Sequence, residues 1–146
     1  MTLTLHEHPF AAYCWKALIA LYERELPFER RFVGGPEDRA ALAELWPMGS
    51  IPVLVDDAAD LTIPESTTIV EYLDRQGDAP PLGPAEPAAE PALHYARVVH
   101  RWDEDGLANL TRYFSALMAR PSVSRVVDEA REYRHVFPMP WPDYVD

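Results

Sequence analysis

Apolar residues in the first third of the chain repeat with two different periods. Residues 2–6 alternate polar and apolar positions, which predicts a strand with Leu3 and Leu5 facing a core. Helix formers with one apolar stripe follow at 11–23, and a second alternating run lies at 28–32. A strand, a helix and a strand in this short length favour parallel pairing of the two strands.

The pattern continues with a second helix and a hairpin. Two glycines and a proline at 34–36 end the second strand, and Glu37, Asp38 and the run 40–45 are predicted to form a short helix with acidic residues in its first turn. Apolar runs at 53–55 and 61–63 are close enough to form an antiparallel hairpin, and a periodic helix is predicted over 67–75. The predicted order is therefore β-α-β-α-β-β-α, an α/β domain over residues 1–77.

The composition changes after this domain. Residues 78–91 are rich in proline, alanine, glycine and acidic residues, which predicts a linker. Apolar residues at helical spacing then predict helices over 93–103 and 107–119, and a third over 123–133 capped by Ser122. Prolines at every second position from 138 to 142 predict an extended tail that packs by its aromatic residues. Residues 92–146 thus form a short all-α domain.

Charge and cysteine usage exclude several functions. The formal net charge of −11 and the pI near 4.8 argue against nucleic acid and anionic membrane surfaces as partners. A single cysteine, Cys14, excludes an intrachain disulfide, and no signal peptide or membrane-spanning run is recognised, so we expect a cytoplasmic protein. His6 and His8 have a spacing found in metal sites, but no third ligand is evident and no metal site is predicted.

Two backbone features point to a binding edge. Pro52 cannot donate to a sheet ladder, so it should lie at the mouth of the third strand, and the Ile51-Pro52 bond can be cis because an X-Pro amide prefers trans by only about 0.5–1 kcal/mol. Ser66 is predicted to cap the helix that follows, and a helix start favours an anion by about 0.3–1 kcal/mol. Together these features suit a small, extended peptide that carries carboxylates.

The order of these motifs resembles the glutathione-binding domain of the glutathione S-transferase family. The resemblance implies a thioredoxin-like fold for residues 1–77, glutathione as co-substrate, and homodimerisation. The residue before the proline would pair its backbone with the cysteinyl part of glutathione, and the Glu-Ser pair would hold its γ-glutamyl end. The alternative is that Pro52 and Ser66 only end elements of structure. The matching residues are Pro47, Gly49, Ile51, Pro52, Leu54, Glu65 and Ser66.

The chain departs from the family pattern at the position that would stabilise the thiolate of glutathione. Relatives carry Ser, Cys or Tyr near the first helix start, where this chain has Ala11. Free amides of the helix start, the hydroxyl of Tyr13 or the thiol of Cys14 are the candidate substitutes. The alternative is that Tyr13 and Cys14 are ordinary helix residues facing the core. Ser50 also replaces a Lys or Arg that pairs with the glycine carboxylate in relatives.

The resemblance implies a transferase that binds glutathione and catalyses thiolate attack on a small apolar electrophile. The alternative is a non-catalytic glutathione-binding or interaction module. The helical domain is short: family members have more helices, including a Ser/Thr-x-x-Asp capping box, between the regions matching Trp102 and Leu107. Either the chain is shortened near Asp103–Gly106 or residues are missing from the sequence there. The aromatic residues Trp15, Trp46, Tyr95, Trp102 and Tyr113 are candidates for an apolar cleft or for the core.

Overall fold

The computed structural model of the protein describes residues 2–76, 82, 93–98, 101, 104–137 and 140–145. The predicted linker at 78–91, apart from residue 82, and the positions of Trp102 and Asp103 lie outside the described residues. The elements are β1 (Leu3–Glu7), α1 (Ala12–Glu23), β2 (Phe28–Phe32), α2 (Pro36–Leu45), β3 (Val53–Asp56), β4 (Leu61–Pro64), α3 (Ser66–Asp74), a helical stretch α4 (93–98), α5 (Ala108–Met118) and α6 (Pro121–Arg131).

The N-terminal unit, residues 2–76, confirms the predicted β-α-β-α-β-β-α order. Its four strands lie in the order β2-β1-β3-β4. β1 and β2 are parallel, and β3 is antiparallel to both β1 and β4. The predicted hairpin of β3 and β4 is therefore confirmed, and β1 lies in the interior of the sheet, where both of its edges are paired.

The core of this unit lies between the sheet and α1. Leu3 and Leu5 are completely buried, as their alternation predicts, and seven residues of α1 are buried as well. Trp15 is 1% exposed and belongs to the same cluster of apolar side chains. The sequence left open whether Trp15 lines a cleft or fills the core, and the structure places it in the core.

The helical unit, residues 93–98 and 104–137, is anchored by α6. Val123 and Val126 of α6 pack into the core cluster that contains α1. The helix begins at Pro121 after the N-cap residue Arg120, so the predicted cap at Ser122 is wrong. A proline at the first helical position is favourable because its missing N–H would have no partner there. The Ser122 hydroxyl instead donates a hydrogen bond to Glu23 of α1.

Ion pairs join the two units around this contact. Arg120 lies 3.0 Å from the carboxylate of Glu23. Arg30 of β2 pairs with both Glu7 of β1, at 3.0 Å, and Glu129 of α6. Burial raises the pKa of Glu7 although Arg30 opposes the shift. The packing of α6 on α1 is thus supported by charged contacts on two sides.

The chain after α6 turns back towards the N-terminal unit. It forms 3₁₀ turns at Arg134–Val136 and Asp143–Val145, so the prediction of an extended tail over 135–142 is wrong at 135 and 136. The prediction that the tail packs by its aromatic residues is confirmed, because the Phe137 ring lies 5.2 Å from that of Phe10. Within the described residues, no helix is both long and apolar enough to cross a membrane.

Candidate functional site

Three connecting segments of the chain meet at one end of the strands, the end where β1 stops and β3 begins, and we call this end the sheet edge. His6 near the end of β1 pairs with Val53 at the start of β3, and Val53 pairs with Pro64 at the end of β4. The parallel strands β1 and β2 end at this same edge, because carboxyl ends of parallel strands lie together. The sequence segments singled out as candidates therefore lie side by side.

A cleft of about 590 Å³ opens at this edge. The volume is within the usual range of sites for small organic ligands. We call it the loop cleft, because its lining comes from the β1–α1 loop, the segment after β2, helix α2 and the loop before β3. It is lined by His8, Phe10, Ala11, Val33, Arg39, Gly49, Ser50 and Ile51.

The β1–α1 loop is held by a set of short-range hydrogen bonds. The indole N–H of Trp15 donates to the carbonyl of Pro9, and the Ala11 amide donates to the carbonyl of His8 at 2.9 Å. Ala11 is the N-cap residue of α1 and provides no side-chain cap. The buried tryptophan thus fixes the loop that forms one wall of the cleft.

One of the two nitrogens of the His8 imidazole has a hydrogen-bond partner within the loop. Its Nδ1 accepts a hydrogen bond from the backbone N–H of Phe10 at 3.2 Å. Burial, together with the nearby charge of Arg39, lowers the pKa of His8 below its ordinary value. A neutral ring that accepts at Nδ1 carries its proton on Nε2, so His8, which lines the cleft, has an N–H donor at that nitrogen.

Arg39 of α2 brings a positive charge to the cleft. Among the described residues no carboxylate forms an ion pair with it. The neighbouring Ser50 hydroxyl accepts a hydrogen bond from the indole N–H of Trp46 at 3.1 Å. A guanidinium with five N–H donors is suited to a carboxylate. Arg39 and Ser50 line the same cleft, so α2 brings a cation close to the position where the sequence has serine.

The loop before β3 adopts the predicted backbone conformation. The Ile51-Pro52 peptide bond is cis, and Ile51 lines the cleft while Pro52 is buried. Gly49 has a φ of 65°, a conformation that favours glycine. Of the four residues expected to bind glutathione, Ile51 is the one that lines the loop cleft.

Glu65 and Ser66 lie at the same sheet edge, directly after Pro64, but outside the lining of the loop cleft. The N-cap of α3 is Glu65, and Ser66 is the first helical residue, so the predicted cap is wrong by one position. Glu65 is exposed and has a φ of 67°, which is uncommon for a residue with a side chain. Ser66 is 7% exposed.

The structure separates the two candidate catalytic side chains from the cleft. Tyr13 is 67% exposed, and Cys14 is completely buried. Burial, and the negative charge of Glu7, raise the pKa of the Cys14 thiol to about 12, although a hydrogen bond with the backbone of His8 opposes the shift. A thiol with this pKa stays protonated at neutral pH. Neither residue lines the loop cleft.

Aromatic rings form an apolar flank beside the cleft. Phe10 of the β1–α1 loop contacts Phe137 in an edge-on arrangement and lies 6.3 Å from Trp141. Tyr95 stacks on Phe137 with the ring centroids 6.3 Å apart. Of the candidate aromatic residues, Tyr95 belongs to this flank, while Tyr113 is 43% exposed. Phe10 thus joins the lining of the loop cleft to this aromatic cluster.

Neither His8 nor Arg39 is predicted from the sequence as a cleft residue. His8 follows the last residue of β1 and precedes a proline, which is a position at the carboxyl end of a strand. Arg39 is the one cationic residue within α2. Position at the sheet edge was the available signal for His8, whereas the direction in which α2 presents Arg39 depends on tertiary packing.

Comparison with known proteins gives a consistent result. The family described as "Glutathione S-transferase, N-terminal domain" matches residues 5–81. The chain is 37% identical over 87 residues to a stringent starvation protein A homolog of Pasteurella multocida, covering 60% of this chain and 40% of that protein. It is 41% identical over 64 residues to glutathione S-transferase GstB of Escherichia coli K12, covering 42% and 31% of the two chains. It thus spans less than half the length of these relatives.

A solved structure shows the same fold over most of the chain. The glutathione S-transferase of Methylobacillus flagellatus KT, a crystal structure with glutathione bound, superimposes with a TM-score of 0.76 at 17% identity. The match covers 85% of this chain and 98% of that one. Both the sheet of the N-terminal unit and the helical unit therefore have counterparts among known folds.

Proposed function

This chain belongs to the glutathione S-transferase family, and from that premise we propose that it binds glutathione along this end of the sheet, from the loop cleft to the start of α3, with Ile51, Pro52, Glu65 and Ser66 as binding residues. The backbone of Ile51 would pair with the cysteinyl part of the peptide. Glu65 and Ser66, at the start of α3 on the same edge, would hold its γ-glutamyl end. This places the peptide thiol near the start of α1.

The observation that carries the proposal is the guanidinium of Arg39 in the cleft, which pairs with no carboxylate among the described residues. Arg39 lines this cleft together with Ser50 and Ile51 of the loop before β3. Glutathione has a carboxylate at each end, so one end can reach α3 while the other meets Arg39. A charge-assisted hydrogen bond of this kind contributes about 1.5–3 kcal/mol. The cleft therefore offers complementary charge in an otherwise acidic protein.

The reaction we propose is thiolate attack on a small apolar electrophile. The S–H bond of glutathione breaks and its proton goes to water, since the thiolate is the nucleophile. The sulfur lone pair then forms a bond to the electrophilic carbon, and a halide or similar leaving group departs with its bonding electrons. Phe10 and the aromatic flank around Phe137 would hold the apolar part of the electrophile.

Calorimetric titration with glutathione tests the binding step. We expect Arg39→Ala to weaken the affinity by about tenfold, since it removes a carboxylate partner, and Ser66→Ala to weaken it as well. Arg31→Ala is the matched control, because Arg31 lines a different cavity, between the sheet and α2. Absence of binding at millimolar glutathione, or equal losses in Arg39→Ala and Arg31→Ala, would contradict the proposed site.

A non-catalytic binding or interaction module is the second candidate function. Ala11 lacks a group for the thiolate, Tyr13 is exposed and Cys14 is buried. The name of the Pasteurella relative also states no catalytic activity. Turnover of an aryl halide, compared with Ser66→Ala, distinguishes the two functions: glutathione binding with turnover equal to that of the variant would favour the module.

The remaining expectations from the sequence stay predictions. Homodimerisation is implied by the family resemblance, and light scattering after size-exclusion chromatography tests it.

A cytoplasmic location is indicated by the single cysteine and tested by cell fractionation. The boundaries of the linker at 78–91 are tested by limited proteolysis, which should cut there before it cuts the N-terminal unit.

A further inference from the structure

We propose that His8 stabilises the thiolate of bound glutathione by donating a hydrogen bond from its Nε2–H. The inference deepens the proposed function and rests on it. It assigns the thiolate-stabilising role to a residue outside Ala11, Tyr13 and Cys14, the positions that the family resemblance singled out.

The position of His8 satisfies the first requirement. His8, Ala11 and Ile51 line the same cleft. His8 and Ala11 are also joined directly, because the Ala11 amide donates to the His8 carbonyl at 2.9 Å. A thiol placed between the start of α1 and the backbone of Ile51 therefore has the imidazole of His8 as a neighbour. Tyr13 and Cys14 are not part of this lining.

The hydrogen-bond network of the loop fixes which nitrogen is available. The Phe10 amide occupies Nδ1, so a neutral His8 carries its proton on Nε2. Because Nδ1 is occupied, the ring is arranged to donate and not to remove the thiol proton. The ring also contacts two aromatic neighbours, with centroid distances of 5.1 Å to Phe32 and 6.4 Å to Phe10.

The electrostatic surroundings keep this arrangement at neutral pH. Among the described residues, Arg39 on α2 is the charged group that shifts the pKa of His8. Burial is the larger of the two causes, and burial and Arg39 both lower the pKa of His8. The imidazole is therefore neutral in the pH range in which glutathione thiols begin to ionise. A hydrogen bond to the charged form of a group favours that form, so the Nε2–H lowers the pKa of the bound thiol.

The test measures the thiol pKa of bound glutathione through the ultraviolet absorbance of the thiolate as pH is raised. We expect His8→Leu to reduce the thiolate fraction by about tenfold at a pH below that pKa, which corresponds to a rise of about one unit. His8→Gln retains an N–H donor near the position of Nε2 and should restore most of the effect. His6→Leu is the matched control, because His6, two residues before His8 and on β1, lines a different cavity.

Binding is measured separately with S-methylglutathione, which has no thiol. Equal affinity of the wild type and His8→Leu for this analogue, with different thiol pKa values for glutathione, supports the inference. An unchanged thiol pKa in His8→Leu overturns it and leaves the proposed binding function intact. Failure of the wild type to bind either peptide overturns both.

A measurement on the unmodified protein removes the dependence on variants. Nitrogen NMR of histidine-labelled protein should show His8 protonated at Nε2 without ligand, and its Nε2–H signal should move on addition of glutathione but much less on addition of S-methylglutathione. A ring protonated at Nδ1, or equal changes with the two peptides, contradicts the inference.

Discussion

Helices α5 and α6 have the same length, 11 residues each, but are held very differently. α6 buries five residues, and its valines belong to the core cluster that includes the buried residues of α1. α5 buries Phe114 and Leu117, and Phe114 lines a groove of about 390 Å³ that Val127 of α6 also lines. Consecutive helices of similar amphipathic pattern therefore differ in whether they share the core of the N-terminal unit.

The difference shows how the helical unit is attached. α6 completes the core formed by the sheet and α1, so it should unfold together with the N-terminal unit. α5 contacts α6 and has few buried apolar groups of its own, so it should open at a lower free energy. We therefore expect the lower-stability part of the helical unit to begin at α5, while α6 unfolds with the N-terminal unit.

Trp15→Ala should give the largest effect, because Trp15 lies in the core that both units share. Removing a fully buried indole costs about 3–5 kcal/mol of unfolding free energy. It also removes the hydrogen bond to Pro9 that fixes the β1–α1 loop. Urea unfolding, followed by helical circular dichroism, should show the sheet and α6 destabilised together.

Trp46→Ala is the matched control for this prediction. Trp46 is half-buried, packs beside the small cluster around Leu42 and donates to Ser50. Its loss should cost clearly less than the loss of Trp15. A Trp15→Ala protein that unfolds α6 separately from the sheet would contradict the single shared core.

Hydrogen exchange gives the next largest effect and compares the two helices directly. Backbone amides in the middle of α5 should exchange at least about tenfold faster than those in the middle of α6, a difference of about 1.4 kcal/mol in opening free energy. Peptide-resolved mass spectrometry measures both helices in one sample. Equal protection of α5 and α6 would show that the groove beside Phe114 does not weaken α5.

The same comparison explains how far the sequence predicts the fold. Alternation at Leu3 and Leu5, and at 28–32, is set by local periodicity, and these strands were predicted to within one residue. Helix periodicity also predicted α5 and α6 closely, yet it gave no sign that α6 joins the core while α5 does not. That distinction depends on which face meets α1, which is a property of packing and not of period.

The candidate site divides in a similar way. Backbone features were predictable: the proline at the mouth of β3, the cis bond before it and the glycine in the preceding turn all follow from residue type. Side-chain direction was not. Cys14 and Tyr13 are adjacent in sequence, yet one is buried and the other exposed because they lie on different faces of α1. Arg39 reaches the cleft because α2 packs beside its mouth.

The smallest effect concerns the polar contacts that hold α6 on α1. Burial opposes ionisation of Glu23, but the hydrogen bonds from Arg120 and Ser122 outweigh it and lower its pKa below the ordinary 4.5. A carboxyl whose pKa is lowered by folding contributes stability that is fully present above its unfolded pKa and is lost as pH falls through the folded value. Glu23→Gln should cost about 1 kcal/mol at pH 7 and weaken the loss of stability below pH 4.5. Urea midpoints across this pH range test it, with the exposed Glu29→Gln as control; an acid dependence equal in both variants would show that α6 is held on α1 by its apolar face alone.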